Sequence, residues 1–272
     1  MKKIFKFYIN ANIHVAIAVM CLLQVVSVYL NIEVFYEALF LFLSTFVSYN
    51  FIRYRKWKDN ELKSELLEWF ENNYKVLIFL NLLALIGLLF YVFHFKVSTM
   101  LLIVPFAGVT LLYMVPVFKF IGLNTPLRSL PTIKIFSISF SWAGLVVFLP
   151  AAENEILFEP TTVYLFLMTF LFVITLTLPF DIRDVNFDND KIKTFPQRFG
   201  VNLTKLIGVC CLFVMLIIEL LTFQSNIVTV IISVLLILLI LFSSISQSKY
   251  YASFWVEGIP IVWWALYLFI EN

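Results

Sequence analysis

Three aspartates carry the most chemistry in this sequence: Asp181, Asp184 and Asp188, with Arg183 between the first two. They follow directly on an apolar run, Thr161 to Phe180. At spacing i, i+3 and i+7 they share one face of any helix that continues out of that run. Like charges that close repel, so something positive belongs among them. Mg²⁺ takes oxygen ligands and keeps waters or phosphate oxygens in its shell. A magnesium ion bridging these carboxylates to a diphosphate would satisfy the group and account for the lysines and arginines around it. The same residues are also compatible with solvation at a helix end, or with pairing to Arg183, Lys191 and Lys193. The spacing alone leaves both readings open.

The elements that must position these residues are apolar. The chain has 272 residues, of which 62% are hydrophobic and 13% charged, with 31 phenylalanines. That leaves too little polar surface for a soluble domain. Runs of about 18 or more apolar residues read as membrane-spanning helices. Nine such runs are expected, at 10–31, 34–52, 74–95, 98–118, 131–150, 161–180, 201–222, 226–246 and 252–271. Backbone polar groups in lipid must be satisfied within the segment, which makes a helix bundle the default. The runs do not alternate polar and apolar residues as a transmembrane barrel would. The expectation is an all-α integral membrane protein with one domain over 1–272, its two longest polar loops at 53–73 and 181–200.

Charge sets the orientation. With the amino terminus in the cytoplasm, every one of the 19 basic residues except Lys96 falls in a cytoplasmic segment. The outer loops carry Glu33, Glu37, Glu153, Glu155 and Glu159 instead. An odd number of spans then puts the carboxyl terminus outside. Within the first long polar loop, Asp59 to Glu71 sets Leu62, Leu66, Leu67, Trp69 and Phe70 against Glu61, Glu65 and Glu68. That pattern predicts an amphipathic helix, lying on the membrane or capping a cavity.

Other chemistry is sparse. Cys21, Cys210 and Cys211 lie inside apolar runs without metal-ligand spacing and read as packing residues. His14 and His94 lie in separate spans, and no catalytic role is expected of either. The chain shows no Ser/His/Asp set, no glycine-rich phosphate loop, no Cys/His cluster and no cleavable signal peptide. The basic loops abut the membrane and contain many carboxylates, so nucleic-acid binding is not indicated.

The segment Asp181-x-Arg183-Asp184-x-x-x-Asp188, followed by Lys193-Thr194-x-Pro196-x-x-x-Gly200, resembles the second aspartate-rich motif of the UbiA-type intramembrane prenyltransferases. In that family the motif follows the sixth of nine helices, as it does here. Tyr113 to Lys119 resembles the tyrosine-and-lysine segment after the family's fourth helix. The resemblance implies a fold of nine transmembrane helices. It also implies transfer of a polyprenyl group from its diphosphate to an aromatic or other lipophilic acceptor. Asp181, Asp184 and Asp188 would bind Mg²⁺ and act in catalysis. Asn50, Arg53, Lys119, Lys134 and Arg183 would handle the diphosphate. The metal and the basic residues would draw charge onto the leaving group.

The chain departs from the family at the first motif, an asparagine followed by aspartates at the end of helix two. Asn50 is present, but the aspartate positions read Phe51, Tyr54 and Lys58, and Asp59 is one place off. Three readings follow. Arg53, Arg55 and Lys58 can bind a diphosphate directly, since guanidinium groups suit phosphate geometry, leaving one magnesium site instead of two. Alternatively the fold is kept without the reaction, as a lipid-binding or scaffold protein. The third reading is altered chemistry on a related lipid. A transporter is less favoured, because the ionisable residues cluster at one face and not at mid-membrane.

Overall fold

The computed structural model describes residues 2–60, 62, 64–114, 133–186, 194–223 and 226–270, and all regular structure among them is helical. In chain order the helices are α1 (Lys2–Asn10), α2 (Ile13–Leu30), α3 (Phe35–Lys58), α4 (Ser64–Val92), α5 (Val97–Met114) and α6 (Ile133–Glu153). Then come α7 (Pro160–Asp184), α8 (Phe195–Phe199), α9 (Val201–Thr222), α10 (Ile227–Phe242), a π-helical turn at Tyr251–Val256, and α11 (Ile259–Ile270). Helices α2, α6 and α7 form the buried centre. Phe172, Leu22, Leu23, Leu149 and Met168 are almost wholly enclosed there. Helices α4, α5, α9 and α10 turn leucines and phenylalanines outward, as Leu89, Leu101, Leu221 and Phe242 show. A bundle that leaves this much large apolar surface uncovered needs a hydrocarbon solvent. The chain is an integral, multi-pass membrane protein.

Seven helical segments are long and apolar enough to cross a membrane. They correspond to expected spans one, two, three, five, six, seven and nine. The other two are apolar but shorter. Helix α10 has 16 residues, about 24 Å at 1.5 Å per residue, against roughly 30 Å of hydrocarbon. Helix α5 is described to Met114, and the remainder of expected span four lies outside the described residues.

Three boundaries differ from the expectation. Span one is broken: α1 ends at Asn10, and Asn12 takes φ 61°, a left-handed conformation that asparagine tolerates. The polar segment 53–73 is largely helix, because α3 runs through Arg53 to Lys58 and α4 begins at Ser64. The amphipathic stretch is therefore the first turns of α4 and not a separate surface helix. Its apolar stripe packs as drawn from the sequence: Trp69 and Phe70 are buried with Leu77, against Phe7, Trp57, Leu62 and Leu66. Helix α7 continues past the apolar run to Asp184, so Asp181 and Asp184 are helical.

Two ends of the bundle are chemically distinct. At one, Glu65 of α4 pairs with Lys6 of α1 and with Lys249 ahead of the π-turn. At the other, Lys96 meets Glu155 at 2.7 Å and donates to the Glu153 carbonyl. The first is called the basic end below.

Candidate functional site at the basic end of the bundle

Asp181 sits three residues from the end of α7 and is 2% exposed. A carboxylate so enclosed needs a cation and hydrogen bonds. Lys134, in the first turn of α6, supplies a 2.7 Å contact from Nζ to Oδ1. One turn on, Asp184 accepts two bonds from Arg183, at 3.0 Å from Nε and 2.8 Å from Nη2. The Arg183 guanidinium also lies over the Phe180 ring, 5.2 Å from its centroid. Two further contacts fix the end of α7: Gln247 donates to the Pro179 carbonyl at 3.0 Å and Gln197 to the Val185 carbonyl at 3.2 Å. The residues after the second motif have backbone work. Gln197 accepts from the Thr194 N–H, Pro196 stands in the first turn of α8, and Gly200 takes φ 81° between α8 and α9.

Asn50 and Arg53 lie one turn apart at the end of α3. The Asn50 amide donates to the carbonyls of Ala11 and Phe46, both at 3.0 Å, and its oxygen accepts from Asn12. Asn12 in turn accepts from Arg53 Nη2 at 2.8 Å. Asn50 therefore acts on the site through Asn12, holding the α1–α2 break that aims Arg53. Of the three basic residues at the first-motif position, Arg53 is the one turned inward. Arg55 reaches Asp59 at 3.9 Å, and Lys58 is exposed. Arg53 Nη1 is buried with no hydrogen-bond partner among the described residues. Lys119 and Asp188 lie outside the described residues, as do Arg128, Lys191 and Lys193.

One charged residue of the site escaped the sequence reading. Glu257 follows the π-turn and faces Arg53 and Arg183 electrostatically. Its signal was present: a carboxylate inside the ninth apolar run, two residues after Trp255 and just before Gly258 and Pro260. Tyr49, Arg53 and Glu257 share an unusual combination. Each lies deep within the mass of the protein, yet each keeps accessible surface. Partly exposed side chains at that depth face a recess in the bundle and not its outer surface. The Trp142 ring lies beside that of Tyr49, 6.4 Å between centroids, so the wall is partly aromatic. Tyr8, on α1, is also within electrostatic reach of Glu257, and burial raises its phenol above the usual range. His14 serves structure here, bonding the Tyr8 hydroxyl at 2.8 Å and the Phe254 carbonyl at 3.0 Å.

The solved structure of a digeranylgeranylglyceryl phosphate synthase in membranes, a UbiA-type prenyltransferase, superposes on 98% of this chain and 98% of its own. The TM-score is 0.56 and the sequence identity 12%. The two chains share a fold. At that identity the likeness speaks for the fold alone, and it does not carry the aspartate-rich motifs across. No protein-family model and no curated protein matches the sequence.

Within the shared fold, the donor set at the basic end can be tested against magnesium. Asp181 and Asp184 offer hard oxygen donors one helical turn apart. No cluster of three or more His, Cys, Asp or Glu groups able to hold a metal occurs among the described residues. Mg²⁺ commonly uses one or two carboxylates with phosphate oxygens and water completing its shell. The residues fit magnesium in that mode, with a bound diphosphate, and not as an all-protein cage.

Proposed function

We propose that this protein is an intramembrane prenyltransferase, transferring a polyprenyl group from its diphosphate to a lipophilic acceptor. The observation that carries the reading is the recess at the basic end, walled by Arg53, Tyr49 and Glu257 and faced by Arg183. A diphosphate is the ligand such a wall suits: it is multiply anionic, and guanidinium groups bind phosphate oxygens with two parallel donors. The prenyl tail would lie among the apolar helices. The shared fold supports the assignment, since the neighbour's own name describes a prenyl-lipid synthase.

In this reading Arg53, Arg183, Lys134 and Lys119 receive the diphosphate. Arg53 Nη1 is buried without a partner among the described residues, and a small side-chain movement would turn it to the diphosphate. Asp181, Asp184 and Asp188 would hold Mg²⁺. Bound there, the ion supplies positive charge to the departing diphosphate. Arg183 holds Asp184 in its absence. Aromatic walls such as Tyr49 and Trp142 can shield an allylic cation from water. Helices α5 and α10 complete nine crossings, with the basic end and the amino terminus in the cytoplasm and the carboxyl terminus outside.

The test is diphosphate release by the purified protein from geranyl, farnesyl and geranylgeranyl diphosphates, with and without Mg²⁺, beside Asp184→Ala. Release that needs Mg²⁺ and falls at least about tenfold in the variant is expected, since the variant removes transition-state charge stabilisation. A second reading has its own support: the aspartate positions of the first motif are Phe51, Tyr54 and Lys58, and both described carboxylates of the second already carry ion pairs. A non-catalytic lipid-binding protein would bind the prenyl diphosphates and release nothing from any of them.

A further inference from the structure

Glu257 is the interior charge that diphosphate binding leaves unused. Its placement is built into the chain. The Glu257 N–H reaches back five residues to the Ala252 carbonyl at 3.0 Å, the wide winding of a π-turn, and the Gly258 N–H returns to α-type spacing on the Phe254 carbonyl at 2.9 Å. Gly258 permits the close approach: a Cβ there would stand 2.6 Å from the Phe254 carbonyl oxygen and 3.3 Å from the His14 ring. Pro260, in the first turn of α11, needs no hydrogen-bond acceptor for its nitrogen. Extra residues in a turn rotate the side chains that follow, and π-turns of this kind recur at functional sites.

Glu37, buried towards the other end of the bundle, bonds only its own backbone among the described residues; the remaining interior carboxylates divide into two kinds. Glu219 is 1% exposed and is satisfied by the Tyr29 hydroxyl at 2.6 Å, which also meets Thr229. Asp181 and Asp184 hold Lys134 and Arg183. Glu257 differs. Among the described residues its carboxylate has no hydrogen bond and no ion pair within 4.0 Å. It faces Arg53 from α3 and Arg183 from α7, both out of direct contact. Tyr8 of α1 and Tyr49 of α3 lie within its field, and His14 of α2 packs against the neighbouring Gly258. The open carboxylate, the Arg53 guanidinium and the Tyr49 ring therefore lie near one another, although Arg53 Nη1 itself is covered.

Transfer to a hydroxyl has a fixed balance. The C1–O bond of the donor breaks, and its electron pair leaves with the diphosphate. A bond forms from the acceptor oxygen to C1, and the acceptor proton must go to a base. The two guanidinium groups serve the anion, and both described aspartates are already neutralised. We propose that Glu257 is the general base of the transfer, accepting the O–H proton of a lipophilic hydroxyl acceptor seated in the recess beside Arg53 and Tyr49. This rests on the transferase reading. A hydroxyl fits better than a carbon nucleophile because it donates a hydrogen bond to the carboxylate before reaction, which orients it for attack. Glu257 ends the step as the neutral acid.

The experiment uses the full chain in detergent, geranylgeranyl diphosphate as donor, and 4-dodecylphenol or 1-dodecanol as acceptor. Ether formation, donor affinity and the pH–rate profile are measured for the wild type, Glu257→Gln and Glu257→Asp. Glu257→Gln is expected to lower kcat for ether formation about 100-fold or more, to leave donor Kd within about threefold, and to abolish the acid limb of the profile. Glu257→Asp keeps that limb at reduced kcat, and carries the test should the glutamine variant not fold. An unchanged kcat overturns the proposal. So does a loss of donor affinity in place of kcat, which would make Glu257 a positioning residue for the arginines. Products alkylated at carbon alone overturn the hydroxyl assignment while leaving the transferase reading intact. Wild-type protein that binds the donor and releases no diphosphate overturns both.

Discussion

Lys134→Met tests the electrostatic construction of the basic end most directly. Asp181 is 2% exposed, while the Lys134 side chain keeps 21% of its surface, with Nζ 2.7 Å from Oδ1. Removing one partner of a buried pair strands the other, at about 3–5 kcal/mol. Water reaches the Lys134 end, so the lower figure applies, about 3 kcal/mol. Arg183→Met takes two hydrogen bonds from a carboxylate that is 21% exposed at its side chain, and about 1 kcal/mol is expected there. For a chain of this size each kcal/mol shifts Tm by about 2–4 °C, which gives a fall of about 6–12 °C for Lys134→Met against about 2–4 °C for Arg183→Met. Thermal unfolding in detergent can be followed with a thiol-reactive dye. Cys21 is buried and reports unfolding, and the background is Cys210→Ser with Cys211→Ser. The double variant Lys134→Met with Asp181→Leu should recover to within about 1 kcal/mol of wild type, because the buried carboxylate and its lysine leave together. Equal shifts for the two single variants would refute the reasoning, as would a double variant no more stable than Lys134→Met.

Three further outcomes are expected. Gly258→Ala places a Cβ 2.6 Å from the Phe254 carbonyl oxygen; overpacking of that kind costs about 1–3 kcal/mol, and the same dye assay should show it. Gly144→Ala drives a methyl into the Phe106 ring, whose nearest atom would be 2.0 Å away. It should destabilise by about 1–3 kcal/mol, and Phe106→Leu in the same chain should relieve part of that loss. At the other end of the bundle, hydrogen bonding and charge from Lys96 hold the Glu155 carboxyl below its ordinary value of 4.5. A depressed carboxyl contributes stability that is present above its unfolded value and fades as pH falls through the lower folded one. Glu155→Gln should therefore lower Tm slightly at neutral pH, with the difference from wild type vanishing as pH falls below about 4.5, which flattens the acid side of the Tm–pH curve.

Membrane residence, helicity and the place of Asp181 and Asp184 at the end of an apolar helix were legible from local pattern, because a run of twenty apolar residues has one stable solution in lipid. The sequence also contained the pairing of Asp184 with Arg183, since neighbours in a helical turn meet without tertiary help. Segment ends were less legible. Arg53 to Lys58 reads as a loop by composition, yet α3 continues through it, because Asn50 and Arg53 bond to the Asn12 break. The long-range pairs could not be read at all. Lys134 and Asp181 are 47 residues apart, and Arg53 follows the second apolar run while Glu257 lies in the last. Side-chain periodicity assigns a face to a residue within its own helix. Which helices face one another depends on packing across the whole bundle. Thus the sequence alone determined what this chain dissolves in and where Asp181 and Asp184 stand. Tertiary structure decided which cations they meet, and that Glu257 faces Arg53.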